Sequence, residues 1–333
     1  MPGSIPEVGP EAASGECIPL VSIVTPCFNG EKHVGRLIES VLAQTHENIE
    51  FILVNDGSTD GTDAVVASYR ERLNTELTRF VYVQQENAGL GGAINGGLPH
   101  VTGQYLCWPD ADDYLEPNSV ELRLKALVEN PDYAVVTSDA YLRSAVDGHL
   151  IGLASGGTSE NSNPSQFEKL LSADSIFVPG CHMARMDLFD GTHPGRTIYP
   201  ARRGQNWQIL LPLYYRYKRL YLDVPLYNYM VSPSSMSAGD TTVAKQIERV
   251  KEHREIKLKT LEAMDMDPAA RARWNHEIQK IYLSAVVNIW IRAGDFTEAR
   301  AAYRDLKAAG SIPTQSRLRF VLKLANLRFR SNG

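Results

Sequence analysis

Apolar residues along this chain recur with two alternating periods. Residues 20–25 read Leu-Val-Ser-Ile-Val-Thr, a β-branched run that predicts a buried strand. After a turn at Pro26, Cys27, Phe28, Asn29 and Gly30, the residues Val34, Leu37, Ile38, Val41 and Leu42 fall three and four apart, as on one face of a helix. The cycle repeats with a strand over 51–55, the turn Asp56-Gly57-Ser58-Thr59-Asp60-Gly61, a helix over 62–73 and a strand over 80–84. A glycine-rich loop over 86–97 leads to Tyr-Leu-Cys-Trp at 105–108, a short strand bounded by Gly103 and Pro109, and a further strand follows over 132–139. Strands alternating with helices predict an α/β fold with a doubly wound, mostly parallel sheet and a Rossmann-like nucleotide-binding half.

The pattern changes beyond residue 140. Asp147-Gly148 predicts a hairpin turn. A short helix is expected over 167–171 and strands over 180–185, 219–223 and 225–231. Between them, 204–217 reads as a helix packed by Trp207, Leu210, Leu211 and Tyr214. From 242 onwards the period is helical throughout. Trp274, Ile278, Ile281, Ala285 and Ile289 share a face, Gly294-Asp295 breaks that helix, and Phe296, Ala299, Tyr303 and Leu306 begin another. One or two such helix pairs are fewer than a free-standing repeat array needs, so a packed helical appendage is expected. The chain divides into a disordered arm (1–17), a main domain (18–240) and a helical C-terminal region (241–333).

Charge and cysteine content narrow the function. A net charge of -5 gives no global attraction to nucleic acid. Cys17, Cys27, Cys107 and Cys181 lie far apart without metal-binding or redox spacing, which predicts reduced thiols in a cytoplasmic protein. Residues 1–16 contain no apolar leader, and no apolar run approaches the roughly 18 residues that span a bilayer. The last segment, 315–330, sets Leu318, Val321, Leu322, Ala325 and Phe329 against Arg317, Arg319, Lys323, Arg328 and Arg330. Two readings stand: an interfacial helix on the anionic inner face of the plasma membrane, or a helix docked on its own domain.

Three acids, Asp110, Asp112 and Asp113, directly follow the strand at 105–108. Clustered carboxylates repel unless a cation joins them or they serve as solvated helix caps. A hard divalent ion such as Mg²⁺ takes oxygen ligands, with one or two carboxylates and substrate phosphates. Four loops fall at the carboxyl ends of successive strands, where a doubly wound sheet binds a nucleotide. The first offers Phe28 to a base, the second Asp56 as acceptor for a pyrimidine N–H, the third glycines for close backbone approach, the fourth the acids. There is no phosphate-binding G-x-x-x-x-G-K-[ST] loop, and no G-x-G-x-x-G follows the first strand, which argues against ATP hydrolysis and dinucleotide binding.

Taken in order, Val-Ser-Ile-Val-Thr-Pro-Cys-Phe-Asn-Gly (21–30), Ile-Leu-Val-Asn-Asp-Gly-Ser-Thr-Asp-Gly-Thr (52–62), Asn87-Ala88-Gly89 with Asn95-Gly96, and Asp110-Ala111-Asp112-Asp113 resemble the family 2 glycosyltransferases of GT-A fold. The resemblance implies an inverting transferase with a nucleotide-sugar donor (a UDP- or dTDP-sugar), a divalent metal (Mg²⁺ or Mn²⁺) and a glycan or lipid-linked acceptor in surface polysaccharide synthesis. It assigns Pro26, Phe28 and Asp56 to the nucleotide base and Asp110 with Asp112 to the ribose and metal, and it counts Asn29, Asn87 and Gly89 among the nucleotide-binding residues.

The chain departs from the family in three places. Ile94 stands where an Arg is frequent, so a cationic contact to the donor is either missing or supplied elsewhere, with Arg202 or Arg203 as candidates. Gln205-Asn206-Trp207 stands where an acidic general base is frequent, in a Gly-Gln-Asn-Trp-Gln form that resembles a subgroup of polysaccharide-assembly enzymes. The Arg often found after the late aromatics is missing, leaving Ser234, Ser235 and Ser237 as contacts to a diphosphate. Gln205, Asn206 and Trp207 are then expected at the acceptor, and His182 and Asp113 are the candidate bases. Two rival classes remain: a sugar-1-phosphate nucleotidyltransferase, whose basic loop after the first strand is not seen here, and a catalytically degenerate scaffold.

Overall fold

Strand β1 (Val21–Cys27) and strand β2 (Ile49–Asp56) are buried along their whole length. Their side chains alternate between two cores, as a period of two requires. Val24, Ile52 and Val54 face one core, and Val21, Ile23, Phe51 and Leu53 face the other. Helices therefore cover both faces, which is why these strands read as continuous apolar runs. The computed structural model describes residues 18–156, 162–172, 175–232 and 240–310.

After β1 come α1 (Val34–Leu42), β2, α2 (Thr62–Glu76), β3 (Arg79–Gln85), α3 (Gly89–Gly97), β4 (Tyr105–Cys107), β5 (Tyr114–Leu115) and α4 (Ser119–Glu129). Then follow β6 (Tyr133–Ser144), β7 (Leu150–Leu153), α5 (Phe167–Ser172), β8 (His182–Arg185), α6 (Met186–Thr192), α7 (Gln205–Arg216) and β9 (Lys218–Val231). Nine strands among the described residues form one sheet in the order β3-β2-β1-β4-β8-β6-β9-β5, with β7 paired to β6. β3, β2, β1 and β4 run parallel, β8 is antiparallel to β4 and β6, and β9 runs parallel to β6. The strand order reverses at β1, between β2 and β4, which opens a crevice at their carboxyl ends.

Three expectations change. The glycine-rich stretch is not a loop after Ala88: it is helix α3. A Cβ on Gly91 would lie 2.6 Å from the Tyr199 carbonyl oxygen, and one on Gly97 would lie 2.5 Å from Val24. The glycines let this helix press against β1 and against residues 199–201, and tertiary packing overrides their low helix propensity. The strands expected over 219–223 and 225–231 are one strand, β9, whose register against β6 slips between Ser138 and Asp139, where Pro225 is the partner. Residues 179–181 form a tight helical turn, so β8 begins only at His182.

The last helices are α8 (Val243–Ala263), α9 (Pro268–Ala293) and α10 (Phe296–Ala308). Ile256 and Leu261 of α8 and Ile278 of α9 join the core that contains Trp207 and Leu210 of α7. Gly294, at φ 78, ends α9, and Asp295 caps α10 by accepting from the Glu298 N–H at 3.0 Å. Val286, Val287, Ile291, Ala299, Ala302 and Leu306 make a separate small core between α9 and α10. Cys27, Cys107 and Cys181 are buried and unbridged. No helix among the described residues is long and apolar enough to cross a membrane. The basic segment 315–330, Ser234, Ser235 and Ser237, and the arm 1–17 lie outside the described residues.

Candidate active site

The carboxyl ends of β1 and β2 are stitched together by their own turn residues. Pro26 is buried within β1, and the next aromatic, Phe28, is 54% exposed. Asn29 adopts a left-handed φ of 52; its N–H donates to Ser58 Oγ at 2.8 Å and its Oδ1 accepts from the Thr59 N–H at 2.8 Å. Asn29 thus fastens the two loops to each other and leaves Phe28 standing out as a platform.

Asp56 ends β2 and is buried at 3% exposure. Its Oδ1 accepts from Gln85 Nε2 at 2.8 Å and from the Ala88 N–H at 2.9 Å. All its side-chain hydrogen bonds among the described residues use Oδ1, so Oδ2 remains available to a ligand. Asn87 Nδ2 donates to the Asp56 carbonyl at 3.0 Å. Gly89, at φ +74, lies against the segment carrying exposed Arg202, whose Cα would sit 3.1 Å from a Cβ at that position. Arg203 is already held by Asp240 at 3.3 Å and Glu252 at 3.1 Å, so Arg202 is the freer of the two cations considered for the donor.

The three acids after β4 present oxygens that lie within 4.8 Å of one another, yet they are not equivalent. Asp113 is fully buried: its Oδ2 accepts from the Tyr227 hydroxyl at 2.9 Å and its Oδ1 from the Met230 N–H at 2.8 Å. The same hydroxyl accepts from the Asp110 N–H at 3.2 Å. Burial, with Asp112 and Asp110 nearby, pushes the Asp113 carboxyl well above the usual carboxylate range. Asp110 is half-buried, and burial together with Asp112 pushes its carboxyl up to about 8. Asp112 is exposed, and its backbone carbonyl accepts from Arg36. Asp113 therefore braces the loop against β9, while Asp110 and Asp112 keep oxygens free. Two carboxylates crowded together fit a hard divalent cation that draws its other ligands from a diphosphate and water.

Other expected residues take different parts. His182, a candidate base, is an interior side chain at 0% exposure. Its Nδ1 is paired with Thr137 Oγ1 at 2.9 Å and its ring stacks on Trp108 with centroids 5.7 Å apart. Burial, then Arg219 and Arg123, hold its imidazole well below the usual histidine range. Asp113, the other candidate, has both oxygens occupied, as described above. Both candidate bases are thus enclosed, Asp113 with both oxygens accepting hydrogen bonds and His182 with Nδ1 paired and Nε2 unpaired. Asn206 is likewise no free amide at the acceptor: its Oδ1 accepts from Trp108 Nε1 at 2.8 Å and its Nδ2 donates to the Phe177 carbonyl at 2.6 Å. Trp207 donates to the Leu170 carbonyl at 3.0 Å and is almost wholly buried. Gln205 does face the acids, with Nε2 3.4 Å from Asp110 Oδ1. His182→Gln is accordingly expected to lower stability while the pH profile of donor turnover keeps its wild-type shape; loss of one limb of that profile would restore His182 as the base.

The sequence reading missed Tyr227 and Tyr229. A Cβ on Gly180 would lie 2.0 Å from the Tyr227 ring, so that glycine makes the space in which Tyr227 holds Asp113. The period-two spacing of Tyr227 and Tyr229 after Pro225 was the available signal. A cavity of about 580 Å³ opens beside Asp110, between Gln205, Trp207 and Tyr229 on one side and Lys257 and Ile281 of the C-terminal helices on the other.

Known proteins resemble this chain in sequence and in fold. The profile of the family described as "Glycosyl transferase family 2" matches residues 22–192, just over half of the chain. The glycosyltransferase GlyA of Streptococcus pneumoniae is 29% identical over 234 residues, which cover 65% of this chain and 31% of that protein. The chain spans about a third or less of the length of the curated relatives it matches, from 35% down to 12%. Among solved structures, Staphylococcus aureus TarS 1–349 in complex with UDP-GlcNAc aligns with a TM-score of 0.59 at 17% identity, covering 88% of this chain and 93% of that one. The mannosyltransferase PcManGT of Pyrobaculum calidifontis, in complex with GDP-Man and Mn²⁺, aligns with a TM-score of 0.54 at 18% identity, covering 92% and 80%. At such identities the two structures speak for a shared fold.

Proposed function

Because the chain belongs to glycosyl transferase family 2 and has the GT-A fold, we propose that it is an inverting glycosyltransferase that moves a sugar from a UDP- or dTDP-sugar to a glycan or lipid-linked acceptor in the assembly of a surface polysaccharide. The observation that carries this reading is the grouping of Phe28, Asp56, Asp110 and Asp112 at the carboxyl ends of the adjacent strands β1, β2 and β4. Phe28 offers its face to the base, and Asp56 Oδ2 accepts the N–H on the pyrimidine edge. Asn87 and the backbone at Gly89 flank the diphosphate, with Arg202 in place of the cation that Ile94 does not supply. Asp110 and Asp112 would hold a divalent ion, Mg²⁺ or Mn²⁺, which when bound takes up charge developing on the departing diphosphate. The structural neighbours in complex with UDP-GlcNAc, and with GDP-Man and Mn²⁺, support a nucleotide-sugar donor and a divalent ion.

Residues 18–240 then form the catalytic unit. Helices α8 and α9 wall the acceptor side of the cavity, and the basic sequence of 315–330 is the segment proposed to meet an anionic inner membrane face. The donor sugar lies between the acids and the cavity, and Gln205 steers its approach through Asp110. An acceptor positioned in the cavity attacks the anomeric carbon from the side opposite the leaving diphosphate, so the transferred sugar emerges with inverted configuration. Proton NMR of the product from an α-linked UDP-sugar tests this: the β anomer is expected, and an α product would contradict the in-line displacement.

A further inference from the structure

The cavity beside Asp110 is walled by α7 on one side and by α8 and α9 on the other, and its charge is lopsided. Lys257, 5% exposed, donates from Nζ to the Leu171 carbonyl at 2.6 Å and sits 4.3 Å from the centre of the Trp207 ring. Arg254 donates to Gln279 Oε1 at 3.0 Å and sits 4.5 Å from the centre of the Tyr282 ring. Neither has a carboxylate partner among the described residues, whereas Arg203 nearby has two. Burial and the neighbouring Lys257 and Arg203 push His253 down to about 4, so it adds no charge near neutral pH. The remainder of the helical wall is aliphatic, with Ile278, Ile281 and Ala285.

A buried cation without a counter-ion is costly, and an anion that enters beside Lys257 and the half-buried Arg254 offsets that cost. A neutral glycan offers hydroxyls, which a site meets with carboxylates and amides on several sides. Here Asp110 is the one acid among the described residues that line the cavity. Among the described residues, the candidate bases of this region are not open. Asp113 and His182 are enclosed, and Asn206 is an amide with both ends engaged. A hydroxyl nucleophile wants a base within hydrogen-bond reach; an ionised phosphate oxygen does not.

We propose, building on the transferase reading above, that the acceptor is an alkyl phosphate, a lipid phosphate monoester whose head group lies by Lys257 and Arg254 and whose chain runs along Ile278 and Ile281. An ionised phosphate oxygen of the acceptor forms the new bond to the anomeric carbon of the donor sugar. The bond from that carbon to the β-phosphate oxygen breaks, and its electron pair leaves with the nucleoside diphosphate. No proton changes hands. The products are an alkyl phosphoryl sugar and the nucleoside diphosphate.

Decyl phosphate, decanol and inorganic phosphate are titrated into the full-length protein with UDP and Mn²⁺ present, and binding is read by calorimetry. Decyl phosphate is expected to bind at least about tenfold more tightly than either of the others, since each of them lacks one half of the interaction. Lys257→Met and Arg254→Gln should each weaken decyl phosphate by about tenfold or more while Mn²⁺-dependent UDP binding stays as in wild type. Lys257→Met also loses the bond to Leu171, so Arg254→Gln and the comparison of the three probes on wild type decide the matter if it does not fold. Mass spectrometry of a reaction with decyl phosphate and a panel of UDP-sugars should find the decyl phosphoryl sugar. Decanol binding as tightly as decyl phosphate, unchanged decyl phosphate binding in Arg254→Gln, or transfer to octyl glycosides but not to decyl phosphate would overturn the proposal and leave the transferase reading standing. Failure of wild type to bind UDP with Mn²⁺ would instead remove the reading on which it rests.

Discussion

Asp112→Asn is expected to lower turnover by about two to three orders of magnitude and to leave the fold as it is. The Asp112 carboxylate is exposed and makes no hydrogen bond among the described residues; the loop is held instead through its backbone carbonyl by Arg36 and through Asp113 by Tyr227 and Met230. Changing the carboxylate to an amide therefore removes no structural contact, and thermal stability without metal should shift by about 0.5 kcal/mol or less. Asp110 would remain as the one free carboxylate for the cation. Lewis-acid stabilisation of a leaving diphosphate contributes several kcal/mol to the transition state, and each ~1.4 kcal/mol lost is tenfold in rate. Initial rates of UDP release at saturating Mn²⁺, with melting curves alongside, check both halves. Turnover near wild type in Asp112→Asn, or full wild-type activity in EDTA, would remove the metal from the account.

Asp56→Asn should weaken UDP by about 10- to 150-fold and inorganic pyrophosphate with Mn²⁺ hardly at all. The amide retains an oxygen for Gln85 Nε2 and the Ala88 N–H, so the loop keeps its shape. What turns towards the ligand is an NH₂ group in place of Oδ2. A pyrimidine edge that presents an N–H then meets a donor where it needs an acceptor. Hydrogen bonds to charged groups contribute roughly 1.5–3 kcal/mol, which sets the size of the loss. Paired titrations of UDP and pyrophosphate separate base recognition from diphosphate binding. Equal weakening of the two ligands would mean that Asp56 acts through the loop and not on the base.

The first half of the sheet was legible because β1, β2 and α1 carry their burial in their own periodicity. Each strand residue of β1 and β2 is enclosed, and the helix shows its apolar face at three- and four-residue spacing. The acids after β4 were legible because three carboxylates at the end of a strand have few uses without a cation. Helix α3 was not, since glycines at 89, 91, 92, 96 and 97 argue locally for a loop; what fixes the helix is close packing against Val24 and Tyr199, which are distant in sequence. Pro225 looked like a strand break and is a register slip inside one strand.

The burial of His182 and Asn206 was not legible for a related reason. Both types are common at sites, but in the fold His182 Nδ1 pairs with Thr137 and its ring stacks on Trp108, while the Asn206 amide is engaged by Trp108 and Phe177. A four-residue strand such as β8 does not reveal which of its faces opens to a cavity. Lys257 and Arg254 carry no motif at all. They look like solvent-facing cations of a charged helix until α8 is seen packed against Trp207 and α9.

The central claim is a pyrimidine nucleoside diphosphate site completed by a divalent ion on Asp110 and Asp112. Calorimetric titration of UDP into the metal-free protein, repeated with Mn²⁺, tests it most directly. The account predicts saturable binding of one UDP per chain that is tight with Mn²⁺ and falls by at least about tenfold when EDTA removes the ion. Equal UDP affinity with and without metal, or no binding under either condition, would contradict it.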